Sequence, residues 1–140
     1  VGDGLDPRTG LPVVSLYGQR RAPAAEHLRD LDALLFDLQD VGVRCFTYLS
    51  TLKECLKVCA ALKTRLVVLE RPNPLGRAVR GPGVLPGFES FVSAHDVPFV
   101  HGKTLAELAL VIAEDLGTPP PQVVPVQGWD GAPWAETGPP

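Results

Sequence analysis

Asp37 and Asp40 follow the apolar run Ala33-Leu34-Leu35-Phe36, with Gln39 between them and Arg44 four places beyond Asp40. Two carboxylates in one cleft can divide acid and base work when their surroundings push their pKa values apart. The structural alternative is that one of them caps the helix beginning near Thr47, or braces the turn. Arg44 offers a cationic fork for Asp40 or for a ligand carboxylate. A second cluster is Arg71-Pro72-Asn73-Pro74. Its two prolines fix φ and stiffen the loop. Arg71 and Asn73 would then present a fork and an amide from a rigid support, a pairing suited to a sugar or a carboxylate. The plainer alternative is a rigid connection with a surface Arg. A third cluster, His101-Gly102-Lys103-Thr104, runs into a helix start. The first amides of that helix, with His101 and Lys103, could hold an anion; a simple N-cap competes with this reading. It is not a phosphate-cradling loop, because position 97 is Val where that motif needs its first glycine.

Other chemistry is excluded or weakly supported. Cys55 and Cys59 lie four apart with Cys45 upstream, and the histidines are scattered at 27, 95 and 101. Zinc sites use paired ligand motifs, so the cysteines are expected to be core residues. No Gly-x-Ser-x-Gly elbow is present. The 140 residues carry 13 Lys+Arg against 16 Asp+Glu, a formal net charge of -3. That balance argues against a general nucleic-acid binder. The composition is 45% hydrophobic, enough for a real core. No apolar stretch is long enough for a membrane span. Met is absent and the chain ends in the loop-like Thr137-Gly138-Pro139-Pro140, so a fragment of a longer protein is expected.

The elements that must position these residues alternate. Val1 to Leu11 reads as loop, and Pro12 to Tyr17 as a first strand closed by Gly18. A short helix is expected from Pro23 to near Asp30. The runs within 32–38 and at 66–69 suit strands buried on both faces. From Thr47 the period turns helical: Leu49, Leu52, Leu56, Cys59 and Leu62 share one face. Residues 77–100 read as an ordered irregular insertion. Thr104 and Glu107 form a capping-box pattern ahead of the stripe Leu105, Leu108, Ala109, Ile112 and Leu116, with Gly117 as C-cap. Val123 to Val126 is a last strand, and 127–140 is loop. This order predicts an α/β fold, a mostly parallel sheet with helices on both faces. Ligands bind outside the carboxyl ends of such strands. The polar groups that follow the strands, namely Gln39, Asp40 and Arg44, then Arg71 and Asn73, then Gln127 and Trp129, are therefore expected at one sheet edge.

Several strings occur together, in order and over nearly the whole chain. They are Thr9-Gly10-Leu11-Pro12-Val13 with Ser15-Leu16-Tyr17-Gly18, Phe36 to Arg44 with Thr47-Tyr48, Glu70-Arg71-Pro72-Asn73-Pro74-Leu75-Gly76, Pro86 to Phe91, and His101 to Thr104. In these the chain resembles the exo-β-N-acetylmuramidase family, long catalogued as a domain of unknown function. The resemblance implies a Rossmann-like N-terminal domain, of which residues 1–140 are a part, with an upstream segment and a smaller C-terminal domain outside the chain. It implies removal of terminal β-linked N-acetylmuramic acid from the non-reducing end of peptidoglycan fragments, without a cofactor, by a secreted or periplasmic protein. The partner would be a peptidoglycan-derived glycan or muropeptide; oligomeric state is left open. Carried over motif by motif, it assigns Asp40 as a catalytic carboxylate and Gln39, Arg44, Tyr48, Arg71, Asn73 and His101 as substrate-binding residues. The family's Gly-Glu-His-Gly motif, with its catalytic Glu, is expected upstream of Val1. Val79-Arg80-Gly81-Pro82 stands where relatives often carry Val-Glu-Gly-Pro, so Arg80 replaces an acid. Glycoside hydrolysis generally uses two carboxyl groups. A non-catalytic carbohydrate-binding or degenerate module is therefore the alternative expectation.

Overall fold

The computed structural model describes residues 2–18 and 20–137. In chain order the elements are β1 (Gly4–Leu5), β2 (Pro12–Val13), α1 (Ala25–Leu28), β3 (Ala33–Phe36), α2 (Tyr48–Leu62), β4 (Arg65–Leu69), β5 (Val79–Arg80), β6 (Val100–His101), α3 (Leu105–Leu116), β7 (Gln122–Val124) and α4 (Trp134–Thr137).

The apolar runs form a three-stranded sheet of order β3-β4-β7, and both pairings are parallel. Leu34 pairs with Leu66, Phe36 with Val68, and Val68 with Val123, which aligns their side chains on one face. Parallel neighbours need crossovers, and α2 and α3 supply them. Right-handed crossovers that step the same way across a sheet lie on the same face. The two helices accordingly pack on each other and on β4. Leu49, Leu52 and Leu56 of α2 meet Leu105, Leu108 and Ile112 of α3 over Phe36, Leu66 and Val68. Burying each such side chain contributes roughly 1.5–3 kcal/mol. The opposite face, which carries Leu35 and Val124, is partly open among the described residues: Leu35 is 60% exposed.

The helix ends follow local chemistry. The Thr104 hydroxyl accepts the Glu107 N–H and the Glu107 carboxylate accepts the Thr104 N–H, a complete capping box. Gly117 closes α3 at φ 63°. Helix α2 ends on Lys63 at φ 58°, a left-handed position filled without glycine.

Three expectations are corrected. The strand expected over 12–17 is only Pro12–Val13, and it pairs antiparallel with β1 rather than joining the parallel sheet. The turn from Asp6 to Gly10 folds the chain back on itself, and the Ser15 N–H turns to the Asp3 carboxylate. The N-terminal stretch expected as loop therefore holds half of a hairpin. Within the stretch expected as loop over 127–140, Trp134–Thr137 is a short helix tied to the 70s loop by Trp134 N–H donating to the Pro74 carbonyl; residues 138–140 lie outside the described residues. The 77–100 insertion is irregular as expected, apart from β5, which pairs antiparallel with β6.

Candidate functional site

The carboxyl ends of β3 and β4 deliver most of the expected polar residues to one place. Asp40 is 4% exposed and His101 is 2% exposed. Asp40 Oδ2 accepts the Gly42 N–H at 2.8 Å and lies 3.1 Å from His101 Nε2. Asp40 Oδ1 is buried with no hydrogen bond among the described residues. The Lys103 N–H donates to His101 Nδ1 at 3.3 Å. The loop after β3 is zipped along β6: the Arg44 N–H donates to the Phe99 carbonyl, the His101 N–H to the Gly42 carbonyl, and Val43 bridges Val100. Gly42 sits at φ 83°, and a Cβ there would lie 2.4 Å from Asn73 Oδ1. Only glycine lets this loop approach Asn73 so closely.

Asn73 is 1% exposed and braces the loops. Its Nδ2 donates to the Lys103 carbonyl at 2.9 Å, and its Oδ1 accepts the Leu75 N–H at 2.9 Å. Gln39 Nε2 donates to the carbonyls of Asp40 and Pro72, tying the end of β3 to the Pro72 loop. Arg71 stands on the outer side, about half exposed, with its Nε 2.7 Å from Asp37 Oδ1. The hydrogen bond from Arg71, with its charge, holds the Asp37 carboxyl below the usual range. The two aspartates thus occupy opposite environments: Asp37 exposed and ion-paired, Asp40 buried beside a histidine.

Two expected site residues point into other structure. Arg44 Nη1 donates to the Pro82 and Val97 carbonyls at 2.8 and 2.6 Å, and its guanidinium lies 5.9 Å from the Phe99 ring centre. It holds the 77–100 insertion in place. Tyr48 meets Phe46 edge-on, 4.7 Å between ring centres, and packs against the core. Trp129, expected at the same edge after the last strand, is taken up by other contacts as well: it lies under the Arg77 guanidinium and its Nε1–H donates to the Ala132 carbonyl.

Sequence reasoning gave Glu70 no role. The Thr104 hydroxyl donates to Glu70 Oε1 at 2.7 Å and the Val126 N–H to Oε2 at 3.0 Å. Glu70 therefore clasps the end of β4 to the start of α3 and the end of β7. Its place directly after a strand-like run and before Arg-Pro was the available signal. Lys103 contributes its backbone, both N–H and carbonyl, while its side chain is exposed. The closed capping box uses the Thr104 and Glu107 N–H groups within the start of α3.

Among the described residues no group of three His, Cys, Asp or Glu could hold a metal ion. Nor is any helix among them long and apolar enough to cross a membrane. A cavity of about 470 Å³ lined by Lys63, Arg65 and Pro120 lies at the opposite, N-terminal end of β4 and β7. The strand-end rule favours the Asp40 side as the site.

Comparisons with known proteins agree with this architecture. The peptidoglycan beta-N-acetylmuramidase NamZ of Bacillus subtilis is 42% identical over 110 residues, which are 78% of this chain and 27% of that protein. Two solved structures of DUF1343 family proteins from Bacteroides fragilis superpose well. One has a TM-score of 0.88 at 40% identity, covering 96% of this chain and 36% of that one. The other has a TM-score of 0.79 at 33% identity, covering 89% and 35%. The chain thus spans about a third or less of the length of these relatives. The family model for exo-beta-N-acetylmuramidase NamZ, N-terminal, matches residues 1–140. A Rossmann-like α/β sheet with its polar cluster at the strand ends, matched along its full length by that model, belongs to the NamZ N-terminal family.

Proposed function

We propose that this chain is part of the Rossmann-like N-terminal domain of a glycosidase. The enzyme would remove terminal β-linked N-acetylmuramic acid from the non-reducing end of peptidoglycan fragments. The carrying observation is the buried Asp40, whose Oδ2 is fixed by two donors while Oδ1 has none among the described residues. Oδ1 is itself closed off from solvent, so a substrate hydroxyl, acetamido N–H or water reaches it only where the loops over Asp40 part. Arg71 binds the lactyl carboxylate that distinguishes muramic acid, with Asp37 steadying its guanidinium. Gln39 turns its remaining carbonyl oxygen to the sugar. Asn73 and Arg44 act by holding the loops that frame the cleft. No cofactor enters this scheme.

A second reading has its own observation. Glu70 spends both oxygens on structure, and Arg80 stands where a second acid was expected. Among the described residues, the spare carboxylate oxygens near this cluster are then Asp40 Oδ1, which is buried, and Asp37 Oδ2, which is exposed beside Arg71. Hydrolysis needs a second carboxyl group. If the rest of the protein lacks one, the chain belongs to a module that holds muropeptide without cleaving it.

The deciding experiment is hydrolysis of a chromogenic β-N-acetylmuramide by the full-length protein, with the matching N-acetylglucosaminide as control. Release from the muramide alone supports the glycosidase. Binding without release, in a folded protein, supports the holding module.

A further inference from the structure

β3 stands at one end of the parallel sheet, and among the described residues only β4 pairs with it. A strand left that way presents a row of unpaired backbone donors and acceptors along its outer edge. The surroundings of that edge are apolar. A groove of about 490 Å³ opens beside it, with Pro12, Leu16, Leu28, Leu31, Leu34 and Leu35 in its lining. Leu31 is 47% exposed and Leu35 more so, although parallel sheets ordinarily have both faces covered. The N-terminal hairpin does not fill the place, because β1 and β2 pair only with one another.

The course of the chain says what fills it. β3 passes to β4 through α2, and β4 to β7 through α3, with both helices on one face. α1 packs on α2 and its Leu28 is buried in the same core, so α1 lies on that face too. A right-handed crossover that reaches β3 through a helix on that face steps in the same direction across the sheet. The strand before it therefore lies on the far side of β3 from β4. Among the described residues no strand before β3 takes that place, which assigns it to chain upstream of Val1. Relatives of which this chain spans about a third or less have the length to supply it. The downstream chain leaves the sheet from β7, the strand farthest from β3. We infer that the groove along β3 is the seat of a strand from the upstream part of the full-length protein, paired parallel to β3. Being parallel, it ends level with Asp37 and Gln39, so the loop that follows it joins the rim of the site. This holds whatever ligand the site takes.

The test uses the full-length protein. Amide hydrogen exchange of wild type reads the pairing and needs no variant to fold. In an edge strand every second amide points away from its one neighbour and exchanges freely; in a strand paired on both sides all are held. Consecutive amides from Leu34 to Phe36 are expected to exchange at least about 100-fold more slowly than those of exposed loops. Fast exchange at alternate positions overturns the inference. Photo-crosslinking reads the occupant. Leu31→p-benzoylphenylalanine puts a reactive ketone on the rim of the groove, where the native side chain is already half exposed and the core is left alone. The same group at Leu35 repeats the reading from the open face. Mass spectrometry is expected to find the label joined to residues upstream of Val1 in the same molecule. Products confined to residues 1–140, to the chain after them or to a second copy overturn the inference, whatever the exchange shows.

Discussion

Arg71 Nε lies 2.7 Å from Asp37 Oδ1, which ties the loop after β4 to the end of β3 at the rim of the site. A guanidinium has five N–H donors, and this contact uses one. Both side chains are about half exposed, so solvent screens the pair and it adds little to stability. Its effect is orientation. Asp37 stays ionised because the Arg71 hydrogen bond keeps its carboxyl low, and the same bond fixes the orientation of the Arg71 guanidinium, which under the proposed function would meet a substrate carboxylate.

Arg71→Ala should therefore raise KM for the muramide at least tenfold, in line with about 1.5–3 kcal/mol for a hydrogen bond to a charged group. The melting temperature should barely move. Arg71→Lys should recover only part of the loss, because an ammonium cannot present two parallel donors. Steady-state kinetics on the full-length protein check this. A wild-type KM in Arg71→Ala removes the residue from carboxylate recognition.

Glu70 makes the opposite kind of prediction, stability without substrate contact. Its two oxygens join three elements through the Thr104 hydroxyl and the Val126 N–H. Glu70→Ala leaves both donors without their acceptor and should lower unfolding free energy by about 2–4 kcal/mol. Thr104→Ala removes the same contact together with the N-cap, so the double variant should fall short of the sum of the singles. Urea unfolding of the four proteins gives the coupling. Strict additivity would mean that Glu70 and Thr104 do not act through one another.

What the sequence disclosed was local or topological. The Leu49, Leu52, Leu56 and Cys59 spacing and the Thr104–Glu107 box each depend on residues a few places apart, and both are found in the structure. The strand-end rule grouped Asp40 with Asn73 because a parallel sheet sends its loops out at one end, whereas His101 reaches Asp40 from β6, outside that sheet, and was not part of that grouping. Partners distant in sequence were hidden. Arg44 reads as a ligand clamp until its guanidinium is seen on the carbonyls of Pro82 and Val97, 38 and 53 residues away. The 12–17 run was over-extended for the same reason, since the Ser15 N–H is drawn off by Asp3, 12 residues back. Asn73 was recognised by type, but its two backbone partners depend on where Lys103 and Leu75 fall in space.

The cysteines give a chemical check on the core. Cys55 and Cys59 are buried on α2, and Cys45 is exposed in the loop before it. Burial, with Cys59 alongside, pushes the Cys55 thiol up to about 12, and burial raises Cys59 as well. The thiolate is the reactive form, so both should be inert in the folded state. Titration with a chromogenic disulfide reagent near neutral pH should show Cys45 reacting quickly. Cys55 and Cys59 should react only when denaturant is added. Fast reaction of either without denaturant would mean that α2 is not packed as described.

His95 carries the pH prediction. It lies within the insertion, its ring mostly buried, with Nε2 3.2 Å from Asp115 Oδ2. Burial, reinforced by Lys53, lowers its pKa below 6.5, while Asp115 and Asp96 pull the other way without prevailing. The unfolded chain then binds a proton that the folded chain resists. Stability from the neutral ring is whole above about pH 6.5 and is lost as pH falls toward the folded pKa. Asp37 and Glu107 lie below their ordinary values: Asp37 through Arg71, and Glu107 through the Thr104 N–H and Arg77, which outweigh its burial. Their contributions persist to lower pH and fade only in the acid range. Unfolding free energy in urea should therefore fall from about pH 7.5 to about pH 5.5, and His95→Gln should flatten that slope without altering the acid limb below it. An unchanged slope in His95→Gln would assign the loss in that window to another group and leave His95 a simple packing residue.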